Sequence, residues 1–441
     1  MLQTLWYAAS LIPEISDDID SVDAAMRMGY NWKYGPFQLI DRIGVDAFAA
    51  SLQQFKLPVP KIIAAALGKK LYDKQDGKRT EFMIGGKYAP LNIPSGSLML
   101  DDIKLTQKPI AKNVSAQLWD IGDGILCIEF LSKQNTFDPE NLKFIAEAIP
   151  KVQQGARGLV FATDGDNFSF GANIGYFLLA CNTASWWAIS DMIKQGQDTF
   201  MALKYAPFPS VTALAGMALG GGCELNLHVS AVQAHIESYI GLVEAGIGVV
   251  PGWGGCTELL LRHIEAGEAT QRAVLSGKKP EHMIGGGPMP PIAKVFEYIS
   301  TAKVAASAYE AQDMLILNSK SRVTMNRRRV LADAKELCLS LAKDYKAPQK
   351  RTMRLPGISG KLALMMAVEN FRNAGKASQH DEVVAGGLAT VLTGGDTDMM
   401  REVTEQDILD LEHEVFMELC KTERTRERIA HTLATGKPLR N

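Results

Sequence analysis

The residues best suited to chemistry lie between positions 213 and 244, in the stretch ALAGMALGGGCELNLHVSAVQAHIESYIGLVE. An apolar, strand-like run at 209–214 leads into a turn holding Gly220, Gly221 and Gly222. A helical pattern follows with Glu224 on its first turn, then a second strand-like run at 229–234, with Glu244 beyond it. Three successive glycines at a strand-to-helix junction let the backbone approach a ligand closely. The helix start also aims unpaired N–H groups at an anion. A carboxylate three residues past Gly221 then lies beside that anion site. Oxyanion donors next to a carboxylate inside an apolar run are the parts of acyl chemistry.

The elements that must position these residues begin near 115, where strand and helix patterns alternate. GILCIEF (124–130) reads as a strand, Asp138-Pro139-Glu140 opens a helix through Ala148 with proline at its first position, and GLVFAT (158–163) is the next strand. A turn at 166–174 and a long helix containing Trp186 and Trp187 lead to the glycine-rich stretch. Such alternation implies a mostly parallel sheet covered on both faces. Gly-containing turns follow the strands at 158–163 and 209–214, so two backbone N–H groups can converge on one carbonyl oxygen. With Glu224 and Glu244 they make a four-part constellation.

Around this core, residues 1–56 read as helices, with LQTLWYAASLIPEI in helical spacing and Gly29 stopping a second helix that starts after the acidic SDDID. Residues 57–114 read as a hairpin turning at Asp76-Gly77, then a polar linker. Residues 330–441 are helical by pattern, the last helix opened by Thr404 and Glu405. Three other features are weaker. Trp186 and Trp187 fit a helix core better than an acyl tunnel, Gly285-Gly286-Gly287 lacks the Lys-Ser/Thr of a phosphate loop, and Arg327-Arg328-Arg329 fits a solvated face better than a phosphate site.

Composition narrows the class. A net charge of −2 over 441 residues argues neither for nucleic acid nor for an anionic membrane surface. The six cysteines are scattered without a C-x-x-C pair, as in a reducing compartment, and no two histidines have helix-face metal spacing. No apolar run approaches the roughly 18 residues of a spanning helix, and no signal peptide is legible. The expectation is a cytoplasmic protein with no metal and no membrane insertion.

Two resemblances sharpen this reading. Asp23-Ala24-Ala25-Met26, Gly29, Trp32, Gly35-Pro36-Phe37, Asp41 and Gly44 resemble the last helical repeat of the 3-hydroxyacyl-CoA dehydrogenases. That family needs a G-x-G-x-x-G turn for its dinucleotide and a His–Glu pair. This chain has no such turn and no histidine before His228, so NAD binding is not expected. The chain then reads as the C-terminal part of a longer fusion.

The central region resembles the crotonase superfamily, and within it the enoyl-CoA hydratases. The family's F-x-x-G-A-D appears as Phe168-Ser169-Phe170-Gly171-Ala172-Asn173, its G-G-G-C-E-L as 220–225, and its P-E-x-x-x-G-x-x-P-G-x-G-G as Val243-Glu244, Gly248 and Pro251-Gly252-Trp253-Gly254-Gly255. The resemblance implies Ala172 and Gly221 as oxyanion-hole N–H donors and Glu224 and Glu244 as catalytic carboxylates. It also implies substrate contacts from Lys133, Asn135, Phe170, Gly171, Asn173, Ile174, Gly220 and Gly252. Asn173 for aspartate and Val243 for proline depart from the family pattern.

The expected fold is a crotonase-like (ClpP/crotonase) spiral α/β core at 115–329, with an N-terminal helical dehydrogenase-repeat segment at 1–56, a hairpin and linker at 57–114 and an all-helical region at 330–441. The implied activity is hydration of a trans-2-enoyl-CoA in fatty-acid β-oxidation, with the acyl-CoA thioester as substrate and no cofactor. A further copy of the chain and the missing dehydrogenase domain are the implied partners. Two alternatives stand beside it. A Δ3–Δ2 enoyl-CoA isomerase would shuttle a proton on one glutamate, and a non-catalytic acyl-CoA-binding scaffold would not need two carboxylates at the thioester.

Overall fold

The apolar runs of the central region fold side by side as strands. In a computed structural model covering residues 1–441, Pro109–Asn441 form one unit around a seven-stranded sheet, and Met1–Lys108 form another from helices and a small antiparallel sheet.

In the smaller unit, α1 (Leu2–Ser10), α2 (Ile19–Tyr30), α3 (Pro36–Ile43), α4 (Val45–Gln54) and α5 (Lys61–Ala65) precede the antiparallel strands β1 (Tyr72–Gln75), β2 (Lys78–Phe82) and β3 (Tyr88–Pro90); α6 (Leu100–Thr106) follows. The residues carrying the dehydrogenase resemblance do structural work here. Buried Asp23 accepts hydrogen bonds from the N–H groups of Phe37 (2.7 Å) and Gln38 (2.9 Å) at the start of α3 and from the Tyr72 hydroxyl (2.8 Å). Gly35 stands against it, because a β-carbon there would strike the aspartate. Asp41 likewise accepts from the N–H groups of Leu71 and Tyr72. Gly29 does not stop α2; the helix continues to Tyr30 and ends at Asn31, whose left-handed φ of 54° lets its N–H close on the Met26 carbonyl. Asparagine tolerates that conformation through local hydrogen bonding.

In the larger unit the strands are β4 (Ala111–Lys112), β5 (Ala116–Asp120), β6 (Ile125–Phe130), β7 (Gly158–Phe161), β8 (Ser210–Leu219), β9 (Ala231–Gly241) and β10 (Arg322–Thr324), in spatial order β10-β9-β8-β7-β6-β5-β4. Every pair from β6 to β10 is parallel, and β4 and β5 add an antiparallel edge. All residues of β6 and β7 are buried, as a parallel sheet covered on both faces requires. Helices α7 (Pro139–Gln153), α8 (Ile174–Asn182), α9 (Trp186–Lys204), α10 (Gly221–His228), α11 (Gly255–Leu275), α12 (Met289–Ser300), α13 (Ala308–Asp313) and α14 (Val330–Ala342) connect and cover the strands, with α14 crossing β7, β8 and β9. Helix α7 begins at the Asp138 cap but runs five residues beyond Ala148, taking Pro150 into its body.

Strands β8 and β9 are longer than the apolar runs at 209–214 and 229–234. A register shift between Leu214 and Gly216 lets β8 continue to Leu219, paired with Ser238–Gly241. That extension is half exposed, with Met217 and Tyr239 facing solvent; Gly216 (φ +69°) interrupts the strand pattern of β8, and His235, Glu237 and Ser238 interrupt the apolar run of β9. It places the glycine turn directly at the end of β8.

The C-terminal region holds α15 (Ile358–Asn373), α16 (Gln379–Thr393), α17 (Glu405–Cys420) and α18 (Glu423–Thr435), with a short antiparallel ribbon of β11 (Thr352–Arg354) and β12 (Glu402–Thr404). The stretch after Thr404 is two helices, not one, because Thr422 starts α18 by accepting from the Thr425 N–H. Thr404 caps α17 with Asp407 as its reciprocal partner, which frees Glu405 for another contact. Helix α17 packs on α9 and α11, and α18 on α8 and the turn Glu244–Ile247. No helix is long and apolar enough to cross a membrane.

Candidate active site

Two backbone N–H groups face one another at the end of β8. Phe137 donates to the Gly171 carbonyl (2.8 Å) and Asn173 donates to the Phe137 carbonyl (2.8 Å), so the Ala172 N–H between them has no acceptor. On the neighbouring turn Gly220 donates to the Gly241 carbonyl (3.0 Å) and Glu224 N–H to the Gly220 carbonyl (2.9 Å). Gly221 is the first residue of α10, and its N–H is likewise unpaired. A β-carbon on Gly221 would lie 3.3 Å from the Ala172 nitrogen, and one on Gly171 would lie 2.7 Å from the Gly221 nitrogen. The two donors are therefore side by side, and no side chain fits between them. Gly171 (φ +78°) and Gly220 (φ +54°) also hold left-handed conformations.

Two carboxylates close on this turn in contrasting surroundings. Glu224 is 2% exposed, and its Oε1 accepts both the Trp253 N–H (2.7 Å) and the Gly255 N–H (3.0 Å). Burial pushes its carboxyl up to about 7, opposed by those two hydrogen bonds. Glu244 opens the turn after β9, is 8% exposed, and its Oε2 has no partner. Burial first, then the charges of Glu224 and Glu412, raise it well above the usual carboxyl range. A β-carbon on Gly220 would come within 2.9 Å of the Glu244 Oε1, which places this carboxyl against the glycine turn.

The loop at 251–255 packs against Glu224 and the Gly221 turn. The Trp253 ring meets Phe137 and Phe200 edge to face, at 5.9 and 5.7 Å between centroids. A β-carbon on Gly196 or Gly221 would strike the indole. The ring thus supports the Gly221 turn from below.

The other residues expected at the site distribute as follows. Gly252 is buried, its carbonyl accepting from Gln197 Nε2 (3.0 Å). Lys133 and Asn135 lie on the turn Lys133–Asn135, which abuts the segment 168–173 through the Phe170 N–H on the Gln134 carbonyl and the Ser169 hydroxyl on the Asn135 carbonyl. The Lys133 side chain is exposed, whereas the Asn135 amide donates to Asn167 O and Thr163 Oγ1. Phe170 is partly exposed beside Gly171. Asn173 caps α8 by accepting from the Gly175 N–H (3.1 Å), so its side chain is committed to the fold, and Ile174 begins that helix half-buried. Trp187 is 75% exposed, Trp186 packs on the core, and Arg327 binds the carbonyls of Gly165 and Asp166.

One residue escaped the sequence reading. Glu412 on α17 is fully buried; its Oε2 accepts the Gly254 N–H (2.7 Å) and its Oε1 accepts the Thr257 N–H and hydroxyl (both 2.8 Å). Burial, with the Glu224 charge adding to it, lifts its carboxyl to about 8. A signal existed: Glu412 interrupts the buried stripe Ile408, Leu409, Val415, Phe416, Leu419 of an amphipathic helix. A charge on such a stripe has to find donors.

Comparison with known proteins gives the domain type of each unit. Residues 120–282 match the family "Enoyl-CoA hydratase/isomerase", and residues 2–81 match "3-hydroxyacyl-CoA dehydrogenase, C-terminal domain". The chain is 36% identical, over its full length, to a "Probable 3-hydroxyacyl-CoA dehydrogenase" of Bacillus subtilis, of which it covers 54%. It is 28% identical, over 96% of its length, to a Rickettsia felis protein provisionally described as a fatty acid oxidation complex trifunctional enzyme, covering 51% of it. The chain thus spans about half the length of the curated relatives it matches. A solved enoyl-CoA hydratase from Bacillus halodurans aligns over 72% of this chain and 99% of its own, at 14% identity and a TM-score of 0.47. The family matches thus identify a domain of the enoyl-CoA hydratase/isomerase type at residues 120–282, with a crotonase-type α/β core, preceded at residues 2–81 by a segment of the 3-hydroxyacyl-CoA dehydrogenase C-terminal domain type.

Proposed function

We propose that this site adds water to a trans-2-enoyl-CoA thioester, giving the 3-hydroxyacyl-CoA. The observation that carries the reading is the pair of buried glutamates, one held by two N–H groups and one by none on its Oε2, beside two unpaired N–H donors. The thioester oxygen sits between the N–H groups of Ala172 and Gly221. As the water oxygen bonds to C3, the π electrons move toward the thioester and negative charge builds on its oxygen. Each donor is worth about 3 kcal/mol at that stage, by analogy with other oxyanion holes. The N-terminus of α10 adds its positive end.

The two carboxyl groups divide the proton work. Glu224, whose ionised form is favoured by two N–H donors, takes the proton from the attacking water. Glu244, kept neutral by burial and by the neighbouring charges, gives its proton to C2. Glu224 ends protonated and Glu244 ionised, and exchange with solvent restores both. The reaction is redox-neutral, so it needs no nicotinamide. Lys133 and the turn around it supply contacts for the CoA moiety, and Phe170, Asn173 and Ile174 line the thioester end. The domain responsible is 115–329, completed by 330–441. Within a longer protein, its product is the substrate class of a 3-hydroxyacyl-CoA dehydrogenase.

The test is loss of enoyl-thioester absorbance on mixing the protein with short- and long-chain trans-2-enoyl-CoA. Turnover that yields the 3-hydroxy product supports the reading. Tight thioester binding without turnover, or conversion only of a 3-enoyl-CoA, would refute it.

A further inference from the structure

We propose that Glu412, contributed by α17 from outside the 120–282 match, is a positioning residue that aims the loop at 251–257 at Glu224 and so sets the base of the reaction. The inference rests on the hydratase reading for its kinetic consequence, but not for its geometry. Four hydrogen bonds form a relay. Glu412 accepts from the N–H groups of Gly254 and Thr257, one on each oxygen. On either side of the first anchor, the N–H groups of Trp253 and Gly255 turn the other way and both donate to Glu224 Oε1. Gly254, with φ +95°, permits the reversal. The loop thus carries alternate N–H groups to two buried carboxyls, and neither set can be satisfied if the other lets go. A buried amide N–H left without an acceptor costs about 1–3 kcal/mol, enough to tilt so short a loop.

The chemistry of the side chain explains why glutamate is required. In its ionised form both of its oxygens accept a backbone N–H, and Oε1 also meets the Thr257 hydroxyl. Glutamine offers one oxygen and one NH2 group. Whichever way the amide is turned, its NH2 faces a backbone N–H, donor against donor.

A structural role alone would weaken everything the fold supports, whereas a positioning role acts through Glu224. We would therefore measure enoyl-CoA hydration by wild type, Glu412→Gln, Glu224→Gln and the double variant, with hydrogen exchange of the 252–258 backbone in each. The proposal expects kcat of Glu412→Gln to fall about 10- to 100-fold, the scale of a small misplacement of a catalytic group. KM should stay within about twofold. In the Glu224→Gln background the second substitution should change kcat by less than about twofold, because the two act as a unit. Exchange at 252–258 should quicken about tenfold or more while β6 and β7 stay protected. Wild-type kcat in Glu412→Gln, a further full loss in the double variant, or unchanged exchange at 252–258 would overturn it. If wild type hydrates no enoyl-CoA, the hydratase reading fails and the exchange data still decide the loop. Should Glu412→Gln not fold, Thr257→Val removes the hydroxyl contact alone; a fall in kcat of about two- to tenfold at unchanged KM supports the relay, and unchanged kcat overturns it.

Discussion

Replacing Glu224 by glutamine separates chemistry from architecture better than any other substitution at this site. Both loop N–H groups converge on a single oxygen, Oε1, with 2.7 and 3.0 Å contacts. A glutamine can present its one carbonyl oxygen to both, so the loop at 251–255 keeps its anchor and Trp253 its seat. What is lost is the ability to take a proton. General-base assistance contributes about 10²–10⁴-fold, so the barrier should rise by about 3–5.5 kcal/mol. KM should hardly move, since the oxyanion donors and the acyl contacts are untouched. The pH dependence gives a second, independent reading. The wild-type base must be ionised, and burial sets its carboxyl at about 7. The rate of wild type should therefore climb with pH through about 7 and fall again above it, as Glu244 loses the proton it must deliver. In Glu224→Gln the rising limb should vanish and the residual rate stay flat through that range. Stopped-flow absorbance of the enoyl thioester between pH 5.5 and pH 9, about one point per half unit, reads both effects. A Glu224→Gln protein that keeps its rate within a few-fold, or keeps the rising limb near 7, would refute the assignment of Glu224 as base.

Glu244→Gln should be catalytically dead yet more stable than wild type as pH rises. The folded state raises the Glu244 carboxyl well above the usual 4.5, so folding favours its protonated form. That contribution is fully present below the unfolded value and fades as pH climbs toward and through the folded one. The Tm difference between variant and wild type should accordingly widen from pH 5 to pH 9; a constant difference would refute the buried, neutral assignment. Gly171→Ala inserts a methyl 2.5 Å from the Leu219 carbonyl and 2.7 Å from the Gly221 nitrogen at a φ of +78°. With the two donors pushed apart, kcat should fall about 10²-fold or more while circular dichroism at 20 °C stays near wild type, and an unchanged kcat would argue that these N–H groups are not the oxyanion site. Lys204→Met removes the cation shared by Glu258 (2.6 Å) and Glu405 (2.9 Å), whose side chains are 6% and 4% exposed. Two buried carboxylates without a cation should lower the unfolding free energy of the larger unit by about 3–5 kcal/mol in urea titrations; a loss below about 1 kcal/mol would show that the triad is relaxed by water.

Much of the site was legible because its parts are close in sequence and each has a backbone reason. Gly171, Gly220 and Gly221 are fixed by left-handed φ or by atoms that leave no room, and Glu224 rides on the helix the turn begins. The parallel sheet followed from apolar runs alternating with helical patterns. Most of the misses share one cause, which is that local pattern does not report a distant partner. The half-exposed extension of β9 looks polar in isolation, and Pro150 sits inside α7 where tertiary packing outweighs its penalty, whereas the end of α2 at Asn31 rather than Gly29 is a matter of local capping. Glu405 resembles half of a capping pair by spacing, but its carboxylate pairs with Lys204 and Tyr205, 200 positions away and more. Glu412 is the largest omission, because its three donors lie 155 to 158 residues upstream.

That long separation orders events during synthesis. The loop at 251–257 leaves the ribosome roughly 150 residues before α17, on the order of ten seconds or more at about 5–20 residues per second. The strands and the glycine turn can assemble in that interval. The Thr425 hydroxyl and the buried Arg428 guanidinium, which hold the Gly248 and Ala245 carbonyls on the Glu244 turn, emerge later still. On the proposed hydratase reading, a nascent chain would thus have its oxyanion donors before it has a settled base or acid. On that reading competence would arrive only with α17 and α18, and a chain stalled before them that had captured a thioester would have nothing in place to turn it over.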